Sequence, residues 1–148
     1  MFRMMAHIGQ TASVTCWTCH RGSVKGPLLP ESGRPSEKWP EGTVALTLTS
    51  EQEKLPAKDL FKNIQSMAMA PAGRLAFAMN FFSASLGVRC DHCHVPGQWE
   101  KDDKPAKATA RRMLAMVQST LKEFYGGAGP VGCYTCHRGA VKPETNPR

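Results

Sequence analysis

The six cysteines of this 148-residue chain fall in three pairs of one form: Cys16/Cys19, Cys90/Cys93 and Cys133/Cys136. A histidine directly follows each second cysteine: His20, His94 and His137. No cysteine is left over for a disulfide framework. Two C-x-x-C pairs would close one zinc site, but the third pair would then be orphaned. A thioredoxin-like redox pair has no need of the adjoining histidine. C-x-x-C-H is the attachment signature of haem c. Two thiols three residues apart add to the two vinyl groups of one porphyrin, and the neighbouring imidazole reaches the iron from the same face. The pattern predicts three covalently bound haem c groups, held by Cys16, Cys19, Cys90, Cys93, Cys133 and Cys136. His20, His94 and His137 are the iron ligands on the attachment side.

A chain that folds around three porphyrins needs fewer apolar side chains and more loop. Gly and Pro together number 24, about a sixth of the chain, against the ~12% typical of soluble proteins. The net charge of +7 would ordinarily raise nucleic acid as a partner. Here the bases are scattered among acids, and six haem propionates would offset nearly all of the excess, so nucleic acid is excluded.

The two ends of the chain repeat one another. "VTCWTCHRGSVK", 14–25, and "VGCYTCHRGAVK", 131–142, differ only at Thr15/Gly132, Trp17/Tyr134 and Ser23/Ala140. This organises the chain into a partial N-terminal haem unit (1–30), a linker (31–54), a two-haem unit (55–143) and a tail (144–148). The linker is rich in Pro and Gly, with a weak alternation over 43–49 as its only strand signal. In the two-haem unit, Leu60, Ile64, Met67 and Met69 predict a helix from Ala57 that Pro71 breaks. A second helix is expected over 72–85. A third, over 106–124, should bury Met113, Leu114, Val117 and Leu121, with Pro105 at its start and the Gly-rich run 126–129 at its end. The fold class is mainly α: helices packed on haems, long Pro/Gly-rich loops, and little or no β.

Each iron has a second axial position, and the residue that fills it shifts the potential widely. Met79 is the candidate for the Cys90/Cys93 haem, because it lies eleven residues before Cys90 on a helix that can double back over the porphyrin. Met113 and Met116, one turn apart, precede Cys133 and are candidates for the third haem. His92 lies between its own two cysteines and faces away from their iron. Trp17 and Tyr134, between the cysteines of the other two motifs, read as packing residues. Arg21 and Arg138 read either as propionate partners or as solvated arginines.

"FKNIQSMAMAPAGRLAFAMNFFSASLGVRCDHCH", followed by "WEKDDKPAKATARRMLAMV" and "CYTCHRG", resembles the cytochrome c subunit of photosynthetic reaction centres and its dihaem relatives. The likeness covers about Leu55 to Pro143 as a complete two-haem unit, and "HIGQTASVTCWTCHRG" resembles the end of that family's N-terminal unit. The resemblance implies four haems in two pseudo-symmetric pairs, three with His/Met ligation and one with two histidines. By carry-over, Met79 ligates its haem. His7 reaches across to the haem on Cys133/Cys136, opposite His137, where Met113 competes with it. Three haem sites are present here, so the chain is expected to be an N-terminally shortened member. The methionine for the first haem would lie upstream, with Met1, Met4 or Met5 as possible substitutes.

The expected function is electron transfer, not enzymatic catalysis. The resemblance implies a subunit bound to photosynthetic reaction-centre core subunits that re-reduces the photo-oxidised bacteriochlorophyll pair. Its electrons would come from a soluble donor such as a small cytochrome c or a high-potential iron–sulfur protein. A periplasmic respiratory shuttle with the same fold is the alternative, and a reductase with an open iron is a third reading. Haem attachment places the protein in the periplasm, at the membrane surface through partner subunits or an unseen anchor. No apolar run approaches the ~20 residues of a membrane span, and the export signal is expected outside this chain.

Overall fold

The computed structural model describes residues 1–26 and 47–147. Among the described residues the chain is mainly α, with pairing of the β type limited to isolated bridges. The six α-helices are α1 (Phe2–Gly9), α2 (Cys16–His20), α3 (Ala57–Leu60), α4 (Gly73–Leu86), α5 (Pro105–Tyr125) and α6 (Cys133–His137). The expected linker lies outside the described residues as far as 46, as does most of the weak alternation over 43–49. Residues 47–49 form no strand.

α4 and α5 lie where the apolar spacing predicts them. Pro105 occupies the first turn of α5, where its missing N–H leaves no helical bond unmade. Both helices stop at a left-handed glycine: Gly87, φ 64°, and Gly126, φ 66°. Gly87 has a second reason to lack a side chain. A Cβ there would stand 2.1 Å from the Gly139 carbonyl oxygen, and the Gly139 N–H donates to Ser85 O at 2.8 Å. Backbone thus meets backbone where the end of α4 crosses the turn after α6. α1, over 2–9, was not signalled by the sequence reading; it packs against α5.

The helix expected from Ala57 through Met69 is corrected. α3 ends at Leu60, and the chain then turns back through two left-handed residues, Asn63 (φ 57°) and Met67 (φ 63°). The returning segment accepts two N–H groups at the start of the short helix and donates one of its own just ahead of it. Ala57 N–H bonds Ala70 O (2.8 Å), Lys58 N–H bonds Ala68 O (3.1 Å), and Ala72 N–H bonds Leu55 O (2.8 Å). Asn63 is further held by Asp102, to which its amide donates at 2.9 Å. These tertiary bonds override a four-residue apolar spacing.

Where the core should be, the described residues leave a cavity. The buried apolar side chains among the described residues are Ile8, Ala57, Ala72 and Leu75, while the largest of the most deeply buried residues are Thr18, Ser85 and Thr120. The expected buried stripe of α5 is only half-covered: Met113, Leu114 and Val117 line the cavity, and the residues α5 does bury are Lys107 and Thr120. Apolar helix faces point at a shared hollow because side chains alone do not fill it.

Candidate haem-binding site

The two repeated motifs fold alike. In α2 the buried Thr18 hydroxyl accepts the Thr15 N–H at 3.0 Å, and in α6 the buried Thr135 hydroxyl accepts the Gly132 N–H at 3.1 Å. Each hydroxyl satisfies a donor that a short helix start leaves free. After each histidine the chain turns through a left-handed Arg, φ 47° at Arg21 and 49° at Arg138, and then a left-handed Gly. That turn brings a carbonyl beneath the imidazole. His20 Nδ1 lies 3.1 Å from Ser23 O, and His137 Nδ1 lies 3.0 Å from Ala140 O. A carbonyl only accepts, so Nδ1 carries the proton and Nε2 keeps its lone pair for a metal.

The middle motif reaches the same end by another path. Cys90–His92 forms a 3-10 turn rather than an α-turn, and His92, at the threonine's position, is exposed. His94 Nδ1 donates to Trp99 O at 2.9 Å, five residues ahead, with the indole edge-on to the imidazole.

A cavity of about 420 Å³ joins two of the three motifs. Cys90, Cys93 and His94 form part of its wall, and Cys133, Cys136 and His137 another part. Met79 and Phe82 enter from α4, and Met113 and Met116 from α5. The remaining motif, Cys16–His20, abuts the Cys133 motif, with Cys19 Sγ 3.4 Å from Cys136 Sγ. The Cys133 motif therefore stands between the other two. Near the first motif, Met5 Sδ lies 3.7 Å from Cys16 Sγ. Met4 instead meets the Tyr125 hydroxyl, and Met1 is exposed.

His7 crosses 112 positions of sequence to reach α5, the helix of Met113 and Met116. Its Nε2 lies 3.0 Å from Ser119 Oγ, its Nδ1 3.0 Å from Glu123 Oε2, and its ring stands edge-on to Phe124. Its neighbour Ile8 lines the cavity, whereas the His7 ring is flanked by these α5 side chains.

A family model described as photosynthetic reaction centre cytochrome C subunit matches residues 30–146. The chain belongs to this family. A photosynthetic reaction center cytochrome c subunit of Thermochromatium tepidum is 31% identical over 114 residues, which cover 68% of this chain and 28% of that protein. Cytochrome c-554 of Chloroflexus aurantiacus is 29% identical over 124 residues, 77% of this chain and 29% of that one. The corresponding subunit of Rubrivivax gelatinosus is 26% identical over 179 aligned positions, covering 93% of this chain and 48% of that protein. The chain thus spans between about a quarter and a half of these relatives.

The residues present fit the haem c that family membership implies. At the Cys90 and Cys133 motifs, soft thiols, imidazoles and thioethers line one apolar hollow, the donor set such a group takes. Arg21 Nε and Arg138 Nε are buried and without a hydrogen-bond partner among the described residues. Their other nitrogens are engaged: Arg21 pairs with Glu144, and Arg138 donates to Cys19 O at 2.9 Å. Burial pushes the Cys93 and Cys133 thiols up and the His94 imidazole down, the direction that keeps each group neutral. The hydrogen bond from Cys136 lowers Cys19 to about 7, and the same contact with burial raises Cys136.

Sequence reading missed four participants. Thr18 and Thr135 were visible as the one shared residue between the cysteines of both repeats. Lys107 stands seven positions before Leu114 and so continues the cavity-facing stripe of α5; a charge on an apolar stripe was the signal. The Trp99 carbonyl, a backbone group, left no trace in residue type.

Proposed function

We propose that this chain is an electron-transfer cytochrome carrying three haem c groups, part of a reaction-centre-bound subunit that re-reduces the photo-oxidised bacteriochlorophyll pair. What carries the reading is that all three motif histidines tie Nδ1 to a backbone carbonyl, which frees Nε2 for an iron. When bound, each haem supplies a one-electron ferric/ferrous couple. Cys16, Cys19, Cys90, Cys93, Cys133 and Cys136 anchor the three groups, and His20, His94 and His137 hold the irons. Met79, on the shared wall, would serve as the second protein ligand at the Cys90 site. For the Cys133 site the cavity position of Met113 supports that methionine over His7, both of whose ring nitrogens face α5 side chains. The orphaned Arg21 and Arg138 Nε atoms support a role in holding propionates.

The middle place of the Cys133 motif supports an order of sites from Cys90 through Cys133 to Cys16. The reaction-centre core subunits would dock at one end, and a soluble donor, a small cytochrome c or a high-potential iron–sulfur protein, at the other. The location proposed is the periplasmic membrane surface. None of the described helices is long and apolar enough to cross a membrane, so attachment falls to partner subunits or an anchor. Residues 1–30 would supply one haem site, and 55–143 a two-haem unit.

Flash absorbance spectroscopy on membranes containing the protein tests this. Haem oxidation following the light pulse is expected. If the haems stay reduced after the flash while oxidising through a respiratory chain, the role is that of a shuttle. A colourless purified protein removes both readings.

A further inference from the structure

Three motifs of one sequence form do not sit in one electrostatic setting. The carbonyls that orient His20 and His137 belong to local turns, Ser23 and Ala140. The carbonyl that orients His94 is shared: Trp99 O accepts from His94 Nδ1 at 2.9 Å and from Lys107 Nζ at 2.9 Å. Lys107 is only 8% exposed and lines the cavity between the Cys90 and Cys133 motifs. Its ammonium also donates to Lys101 O at 2.7 Å and pairs with Asp102 at 3.0 Å. Asp102 pairs as well with Arg111 at 2.8 Å. The cluster of Lys107, Arg111 and Asp102 therefore carries one net positive charge.

Resting on the haem reading above, we propose that Lys107 is a positioning residue that fixes the Trp99 carbonyl on His94 and raises the reduction potential of the Cys90/Cys93 haem above what its axial ligands alone would set.

Two effects act in the same direction. The ferric form carries one more positive charge than the ferrous form, so a fixed cation beside the site disfavours the ferric form. A unit charge acting across ~10 Å at an effective dielectric of ~20 changes that balance by about tenfold. The ammonium also draws on the lone pairs of the Trp99 carbonyl, which leaves it a weaker acceptor for the His94 N–H. The imidazole is then less electron-rich and supports the ferric iron less. Among the described residues no cation contacts the carbonyls that orient His20 and His137, so the site at the end of the row is set apart from the other two.

Spectroelectrochemical titration of the haem-loaded full chain tests this. A haem count of three per chain by pyridine haemochrome checks the underlying reading separately. A Cys90→Ala/Cys93→Ala chain, which lacks that haem, identifies which midpoint belongs to it. In Lys107→Gln that midpoint is expected to fall by about the equivalent of a tenfold ferric/ferrous shift, ~59 mV, with the other two unmoved. Lys107→Arg should restore most of it. Asp102→Asn removes the counter-charge and should raise the same midpoint. A purely structural clasp would move Lys107→Gln and Asp102→Asn in the same direction, and that result overturns the proposal, as does an unmoved midpoint in both. If Lys107→Gln does not accumulate, Asp102→Asn decides alone: a raised midpoint supports the assignment, and an unchanged or lowered one refutes it.

Discussion

The Cys90 and Cys133 motifs share a cavity and a residue pattern, yet they reach the same histidine geometry by different means. The Cys133 motif is self-sufficient. A buried threonine caps its helix, a left-handed Arg-Gly turn follows, and the orienting carbonyl lies three residues ahead. The Cys90 motif has an exposed histidine where the threonine would be and takes its carbonyl from a loop that Lys107 and Asp102 pin to α5. One site is specified by its local sequence and the other by tertiary contacts. A motif therefore fixes the chemistry of a site, and its surroundings fix how that chemistry is tuned.

The largest test of this contrast is deletion of each attachment. Cys133→Ala/Cys136→Ala should cost more stability than Cys90→Ala/Cys93→Ala, because the Cys133 motif touches both neighbours. A loss of about 4 kcal/mol or more is expected, on the scale of tightly linked ligand stabilisation. In a chain of this size that is roughly 8–16 °C in thermal midpoint, read by circular dichroism. Equal losses would show that the middle position confers nothing.

Next comes the distal side. Met79→Ala should open the Cys90 site, so that one haem per chain binds carbon monoxide when reduced. Met113→Ala should do the same at the Cys133 site. If that site instead stays closed in Met113→Ala and opens in His7→Ala, the ligand is His7 and the geometry around Glu123 must rearrange on loading. His7→Met would then raise that haem's potential.

Smaller effects separate the local caps. Thr135→Val strands the Gly132 N–H and should cost about 1 kcal/mol in denaturant unfolding. His92→Ala, at the equivalent exposed position, should stay within about 0.5 kcal/mol. The smallest effect concerns pH. Hydrogen bonds from Arg111, Asn63 and Lys107 hold the Asp102 carboxyl well below the usual carboxylate range. Its folded value is depressed, so what the clasp contributes is complete above about pH 4 and is lost only as pH falls beneath that range. A carboxyl NMR titration should show Asp102 still ionised as the pH falls through the usual carboxylate range.

The attachment residues were legible because covalent chemistry demands fixed types at fixed spacing. α4 and α5 were legible because long amphipathic runs with a starting proline and ending glycines leave few alternatives. The segment after Leu60 was not, because its path is set by the bonds of Ala57, Lys58 and Asn63 to partners ten or more residues away. His7 was singled out through resemblance, and the structure carries it to α5, though to Ser119 and Glu123 rather than to the cavity wall. Lys107 escaped because helical spacing was read for apolar residues alone.

The meeting of Gly87 with the Gly139 carbonyl bears on how this molecule tolerates mutational drift. Electron transfer depends steeply on the gap between sites. Here the helix carrying Met79 is set against the turn that follows His137 by backbone touching backbone. Side chains around the cavity can be exchanged for others of similar bulk without altering that separation. A methyl group at position 87 cannot be absorbed in this way. The separation between α4 and the turn after His137 is thus insulated from most of the sequence that surrounds it.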